Sequence, residues 1–280
     1  MSTEGDRTRL TGLLESLGQP GLEYSVNMVR WPATMKSGFV ELGPDDALVA
    51  YLERILAGRA STGKTRLQRL LRWLVSDYDA NAVLRMYPMH LLSTSQAEQL
   101  LGRGRGGRLL DIGAGSGDVT QSLAPLFDTV TAVETSRFAA RRLAQLGFAT
   151  ARYDVTRQGV QGGPYDVIAL LNVLDRTTRP LTLLEQCRSA MSPASRLLLS
   201  IPLPYRPHAY AGAMTRAPEE RLAIVGSDFS DCLMRLVNDV LRPIGLAPLR
   251  LTRLPYVSGG DSSNATTVLS AAVVVCQREA

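Results

Sequence analysis

Three kinds of residue in this chain have the type and spacing to do chemistry together. Asp111 stands inside a short apolar run, Gly113, Gly115 and Gly117 follow it at every second residue, and Glu134 ends the next apolar run. Glycine lacks Cβ, so a turn with this spacing can take positive φ and let a ligand lie on the backbone, facing the NH groups of the helix that follows. An acid at the tip of the second strand of a nucleotide-binding sheet accepts hydrogen bonds from ribose hydroxyls, which makes Glu134 the expected ribose ligand. Bland alternatives stand beside both assignments. The glycines also suit an ordinary tight turn, and Glu134 also suits the dipole of a helix starting near Ser136.

The elements that must position these residues read as alternating strands and helices. Leu109, Leu110 and Ile112 form one strand, and Thr129 to Val133 form a second. Ala149 to Val155 forms a third with Asp154 at its end, and Tyr165 to Leu171 forms a fourth, apolar throughout as a strand buried on both faces would be. Ser195 to Ile201 forms a fifth. Helices are expected over Phe138 to Leu146, Leu181 to Met191 and Phe229 to Leu241, and late strands over Leu249 to Arg253 and Val268 to Cys276. The pattern predicts an α/β fold, a Rossmann-like, seven-stranded doubly wound sheet with its site at the carboxyl ends of the strands.

Upstream lies an expected helical extension or lid over residues 1–93, preceding the main domain at 94–280. A short helix near Leu10 to Leu17 comes first. Leu48, Val49, Leu52, Ile55 and Leu56, then Leu67, Leu70, Leu71 and Leu74, suggest a helical hairpin. Its connector, Gly58 to Thr65, satisfies the phosphate-binding pattern G-x-x-x-x-G-K-[ST], but the residues before it have helical rather than strand period, so the match reads as a polar connector. Ser93 is a plausible cap for a helix over Ala97 to Leu101, and Gly102 to Gly107 is an arginine- and glycine-rich loop.

Composition excludes several classes. The 280 residues are 45% hydrophobic and 20% charged with a net charge of +5, which suits a globular protein with a full core. No apolar run approaches the roughly 20 residues of a membrane span, and MSTEGDRTRL carries no signal core, so no membrane partner and a cytoplasmic location are expected. Cys187, Cys232 and Cys276 are scattered and only His90 and His208 accompany them, so no metal is expected. Arginines cluster at 66, 69 and 72, at 103, 105 and 108, and at 137, 141 and 142. No aromatic residues are interleaved for base stacking, which argues against nucleic acid.

Asp111 followed by G-x-G-x-G resembles motif I of the class I S-adenosylmethionine-dependent methyltransferases. Further downstream, Asn172-Val-Leu-Asp175-Arg176, Pro180 to Leu184, Leu203-Pro204-x-x-Pro207 and Thr252 to Tyr256 with Gly260-Asp261 resemble the DREV family, also called methyltransferase-like protein nine. That resemblance implies S-adenosylmethionine as cofactor, with Asp111, Gly113, Gly115, Gly117, Glu134, Asp154 and Asn172 around it. It also implies methyl transfer to the pros nitrogen of histidine in His-x-His-type protein segments. In that reading Asp175 holds the acceptor NH, Asn172 lines the methyl-donor site, Arg176 braces Asp175 and Tyr256 walls the substrate, as catalytic-site residues. The alternative for Asp175 and Arg176 is a structural ion pair, and for Tyr256 plain core packing. Arg206 and His208 stand where the family has His and Tyr, and Ser262 to Thr267 replaces a segment rich in Tyr and Asp. The alternatives are a methyltransferase acting on another peptide or small-molecule carboxylate or amine, and a non-catalytic regulatory protein that binds the cofactor.

Overall fold

A computed structural model describes residues 4–58, 88–211, 214–260 and 266–279. The expected second helix of the hairpin, Leu67 to Leu74, the connector Gly58 to Thr65 beyond its first residue, and the arginines at 66, 69 and 72 lie outside the described residues. So does most of the departure from the DREV pattern at Ser262 to Thr267.

The frame is a mixed sheet of eight strands: β1 (Met89–His90), β2 (Arg108–Ile112), β3 (Thr129–Val133), β4 (Ala149–Ala151), β5 (Val167–Leu171), β6 (Arg196–Pro202), β9 (Leu246–Ser258) and β10 (Thr267–Arg278). A separate hairpin joins β7 (Ala209–Ala211) to β8 (Met214–Arg216). The strand order is β1-β9-β10-β6-β5-β2-β3-β4. The five strands β4, β3, β2, β5 and β6 are parallel, and β10 runs antiparallel between β6 and β9. Seven of these strands are the expected ones. The eighth, β1, is a two-residue edge strand paired with β9, too short for any periodic signal.

Alternation along the central strands builds both halves of the core. Leu110, Ile112, Ile168, Leu170, Leu197 and Leu199 face one layer, while Leu109, Val167, Ala169 and Leu198 face the other. Such strands read as continuous apolar runs because helices cover both faces. The first layer is closed by α8 (Pro180–Ala190) and α9 (Phe229–Arg235), the second by α4 (Thr94–Leu101) and α5 (Asp118–Leu123). Helix α4 starts on a capping box: the Ser93 hydroxyl accepts from Gln96 N at 3.1 Å and Gln96 Oε1 accepts from Ser93 N at 3.0 Å.

Boundaries differ from expectation where local chemistry intervenes. The third strand stops at Ala151, because the Asp154 carboxylate caps a short helix, α7 (Val155–Gln158), by accepting from Thr156 N at 2.9 Å. The helix expected from Phe229 to Leu241 is α-helical only to Arg235 and widens into π-helical turns over Leu236–Leu241. Strand β9 is far longer than Leu249 to Arg253, since β10 pairs along it from Leu246 to Ser258. Helix α6 (Arg137–Gln145) follows β3, capped by Ser136.

The N-terminal residues extend these cores and add a third. Helix α1 (Glu4–Ser16) and helix α3 (Asp46–Gly58) form a third apolar cluster with Val257. Helix α2 (Ala33–Gly38) carries Met35 into the main core beside Trp31, whose indole NH donates to Ser230 Oγ at 2.7 Å. The arginine- and glycine-rich loop is a structural connector: Arg105 pairs with Glu98 at 3.1 Å, Arg103 lies 3.8 Å from Asp166, and Gly107 N donates to Asp128 Oδ2 at 2.7 Å.

Candidate active site

The chain moves from β2 outward to β3 and β4, then returns to the other side of β2 to build β5 and β6. The carboxyl ends of β2 and β5 therefore splay apart at a topological switch point, where doubly wound sheets bind ligands. A cleft of about 510 Å³ lies there. Its walls include Asp111, Gly113, Gly115, Glu134 and Asp154 on one side, and Leu171, Asn172, Arg176 and Tyr256 on the other.

On the first side the acids are anchored by the fold. Glu134 Oε2 accepts from Gly115 N at 3.0 Å, while Oε1 accepts from Thr135 N at 2.7 Å and Ser136 N at 3.1 Å. The carboxylate thus ties the glycine turn to the tip of β3. Asp111 is buried, and Oδ2 accepts from the Thr120 hydroxyl at 2.6 Å. Burial pushes its carboxyl up to about 7, the nearby Glu134 charge adds to this, and the Thr120 bond opposes it. Asp154 is both a wall of the cleft and the cap of α7, with Arg157 at 3.4 Å from its second oxygen.

The three glycines have separate jobs. All take positive φ. A Cβ on Gly113 would meet Val173 Cγ2 at 2.6 Å. Gly117 is outside the lining: it is the N-cap of α5, and a Cβ there would meet Leu146 Cδ1 at 2.8 Å. Its placement answers to packing between α5 and the end of α6.

The other side is assembled across long sequence distances. Asn172, with φ 54°, is the one non-glycine residue at positive φ among the described residues. Its N donates to Ser200 O at 3.0 Å, and its Oδ1 accepts from the Ser200 hydroxyl at 2.9 Å. Asn tolerates this left-handed region better than most residues, which lets β5 turn sharply into the cleft. Tyr256, carried in by β9, is buried against the same wall, within reach of the Asn172 amide, and its hydroxyl touches Met89 Sδ. Burial pushes its phenol up to about 12, the Arg176 charge offsetting part of the rise.

Asp175 is not in the lining of the open cleft although its neighbour Arg176 is. Arg176 Nε donates to Asp175 Oδ2 at 3.1 Å, whereas Asp175 Oδ1 is buried with no hydrogen-bond partner. Burial raises the Asp175 pKa, and Arg176 opposes the rise. The Leu203 to His208 loop lies beside it: His208 N donates to the Asp175 main-chain carbonyl at 2.6 Å, and burial, with the Asp175 charge adding to it, pushes the Tyr205 phenol up to about 12. The structural ion pair is therefore present through Oδ2, and Oδ1 takes no part in it.

Met89 lines the cleft, and Ser200 and Asp118 stand behind it, bonded to the lining residues Asn172 and Met89; none carries a signal of its own in the sequence. Met89 sits on a two-residue strand, and Ser200 is one polar residue within an apolar run. Among the described residues no group of His, Cys, Asp and Glu is placed to hold a metal, and no helix is long and apolar enough to cross a membrane.

Residues 24–278 match the model of the DREV methyltransferases. The chain belongs to that family. It is an S-adenosylmethionine-dependent methyltransferase, and the cleft suits the donor: acids rather than cations line the glycine turn, which fits a sulfonium with ribose hydroxyls and does not fit a pyrophosphate. Other proteins resemble parts of the chain. A "Ubiquinone biosynthesis O-methyltransferase" of Xanthomonas axonopodis pv. citri is 28% identical over 174 residues, 57% of this chain and 68% of that protein. The N-methyltransferase NodS of Bradyrhizobium japonicum WM9, solved with S-adenosyl-L-homocysteine, is 16% identical with a TM-score of 0.43, covering 66% of this chain and 85% of NodS. A putative methyltransferase of Bacillus halodurans gives 10% identity and a TM-score of 0.47, over 67% of this chain and 99% of that one.

Proposed function

We propose that this methyltransferase acts on the pros nitrogen of histidine in a polypeptide, with Asp175 as the group that holds the acceptor ring. The observation that carries this reading is the buried Asp175 carboxylate with one oxygen paired to Arg176 and the other lacking a donor. A buried acceptor without a partner costs about 1–3 kcal/mol, and an incoming NH removes that cost.

Bound at the glycine turn, S-adenosylmethionine supplies an electrophilic methyl group on a sulfonium. Gly113 and Gly115 give it backbone to lie on, Glu134 takes the ribose, Asp154 the adenine end, and Asp111 the amino acid end. Asn172 lines the methyl-donor site. A neutral imidazole is already nucleophilic near neutral pH, so the chain's task is orientation. Asp175 accepts the tele NH, which leaves the pros lone pair directed at the donor and stabilises the positive charge that develops on the ring. Arg176 braces Asp175. Tyr256 walls the acceptor and excludes water. Asp175 Oδ1 is buried and outside the cleft lining, so in this reading the Leu203 to His208 loop, bonded to the Asp175 main-chain carbonyl, shifts to admit the acceptor. Residues 1–93 act in this reading as a platform, with Met89 as their contribution to the cleft wall, and the protein works in the cytoplasm on protein or peptide partners rather than on nucleic acid.

A second reading is favoured by the O-methyltransferase relatives: a phenolic or carboxylate acceptor, for which Asp175, its affinity for a proton raised by burial, would serve as the base. Transfer from isotopically labelled donor to His-x-His peptides, followed by fragmentation of the product, separates the two. The proposal expects the label on the pros ring nitrogen. Unmodified peptides alongside a methylated phenol or carboxylate would overturn it and leave the methyltransferase assignment standing.

A further inference from the structure

Asp118 opens α5 directly after the glycine turn and is not part of the cleft lining, yet it reaches across to the opposite wall. Its Oδ2 accepts from Ser116 Oγ, within the turn, at 2.8 Å and from Met89 N, on β1, at 3.2 Å. An acid in the first turn of a helix ordinarily serves the helix dipole alone. Here the same carboxylate also joins the glycine turn to β1.

What it holds matters to the reaction. Met89 lines the cleft and its thioether touches the Tyr256 hydroxyl, so the position of β1 sets where the Tyr256 ring stands. Strand β1 has only two residues and depends on clamps: Pro88 O accepts from the Tyr51 hydroxyl at 2.6 Å and from Gly259 N at 2.8 Å, and Asp118 provides the clamp from the donor side. We infer that Asp118 is a positioning residue, which sets the spacing between the donor turn and the Met89–Tyr256 wall through its bonds to Ser116 and Met89. The inference rests on the reading of Tyr256 as the acceptor wall. It does not depend on which acceptor the wall faces.

The test compares Asp118→Ala, Asp118→Ser and Asp118→Asn in the full chain. Donor-site affinity is read by calorimetry with S-adenosylhomocysteine, and kcat and KM by transfer to whichever acceptor the wild type turns over, a His-x-His peptide or a phenol. Rejection of the peptide by the wild type therefore overturns only the histidine reading. Ser keeps a good helix start but is too short to reach Met89 N, so it stands in if the Ala variant does not fold. A displaced wall should lower kcat on the order of 10-fold or more in Ala or Ser, since misplacement by about 1 Å can cost up to 10²-fold. Donor-site affinity should stay within about threefold, and Asn, which keeps an accepting oxygen, should restore most of the rate. Unchanged kcat in the Ala or Ser variant, a loss confined to donor affinity, or no rescue by Asn would each overturn the inference.

Discussion

The two walls of the cleft are built by different rules. On the β2–β3–β4 side the polar groups are satisfied before any ligand arrives: Glu134 holds three backbone NH groups, Asp111 holds Thr120 and Asp154 holds Thr156. On the β5–β9 side a carboxylate oxygen buried behind the lining has no donor, a phenol lies against a thioether, and Asn172 holds a left-handed backbone conformation. The first wall is a finished receptor. The second leaves a buried acceptor unpaired, the feature on which the proposed acceptor role rests.

The largest expected effects break each wall separately. Gly115→Arg places a long side chain on the floor of the cleft and should weaken S-adenosylhomocysteine binding beyond about 100-fold by calorimetry. The protein should still fold, since a non-glycine residue at this left-handed position costs only about 1–2 kcal/mol. Asp175→Asn keeps the shape of the second wall and removes its charge. Turnover should fall by roughly 10²-fold, the loss seen when one preorganised group is removed, while donor-site affinity holds. If Asp175→Asn instead weakened donor binding, the division into two walls would fail.

His90 sharpens the comparison from behind the second wall. It is buried on β1, stacked 5.2 Å from the Tyr51 ring, and burial lowers its pKa to about 4. The folded protein thus keeps the imidazole neutral where the unfolded chain would protonate it near 6.5. Stability from this group is fully present above about pH 6.5 and is lost as pH falls toward 4, by roughly 2–3 kcal/mol. Denaturant unfolding at pH 7 and pH 4.5 should show that loss in the wild type and a smaller one in His90→Phe.

The smallest effect concerns Asp111 on the first wall. With its carboxyl at about 7 it is partly protonated at neutral pH, and a cationic donor binds its ionised form better. S-Adenosylmethionine affinity should rise between pH 6 and pH 8, by less than about tenfold per pH unit, and Asp111→Asn should flatten that rise. A steeper rise in the variant would contradict the assignment.

The same contrast explains what was legible in the amino-acid sequence. The first wall is local: Asp111, the glycines and Glu134 lie on consecutive strand–helix units, so their spacing predicts the fold and a ligand with a ribose, and the resemblance to motif I names that ligand. Apolar runs of five or more residues, such as β5 and β6, are legible for the same reason. The second wall depends on contacts no spacing encodes. Tyr256 arrives from β9, Met89 from a two-residue strand, and Ser200 from the next strand over. Resemblance to the DREV pattern supplied Asn172, Asp175, Arg176 and Tyr256 as a group, but not that Asp175 would lie beside the Leu203 to His208 loop. Nor did it reveal Asp118, which reads as an ordinary helix-start acid.

The most direct test is a crystal structure of the full chain with S-adenosylhomocysteine and a His-x-His peptide. The account predicts the ribose hydroxyls on Glu134, the thioether sulfur facing Asn172, the Leu203 to His208 loop displaced, and the tele nitrogen of one peptide histidine within hydrogen-bond distance of Asp175. A ribose held elsewhere, or an acceptor ring bound without contact to Asp175, would contradict it.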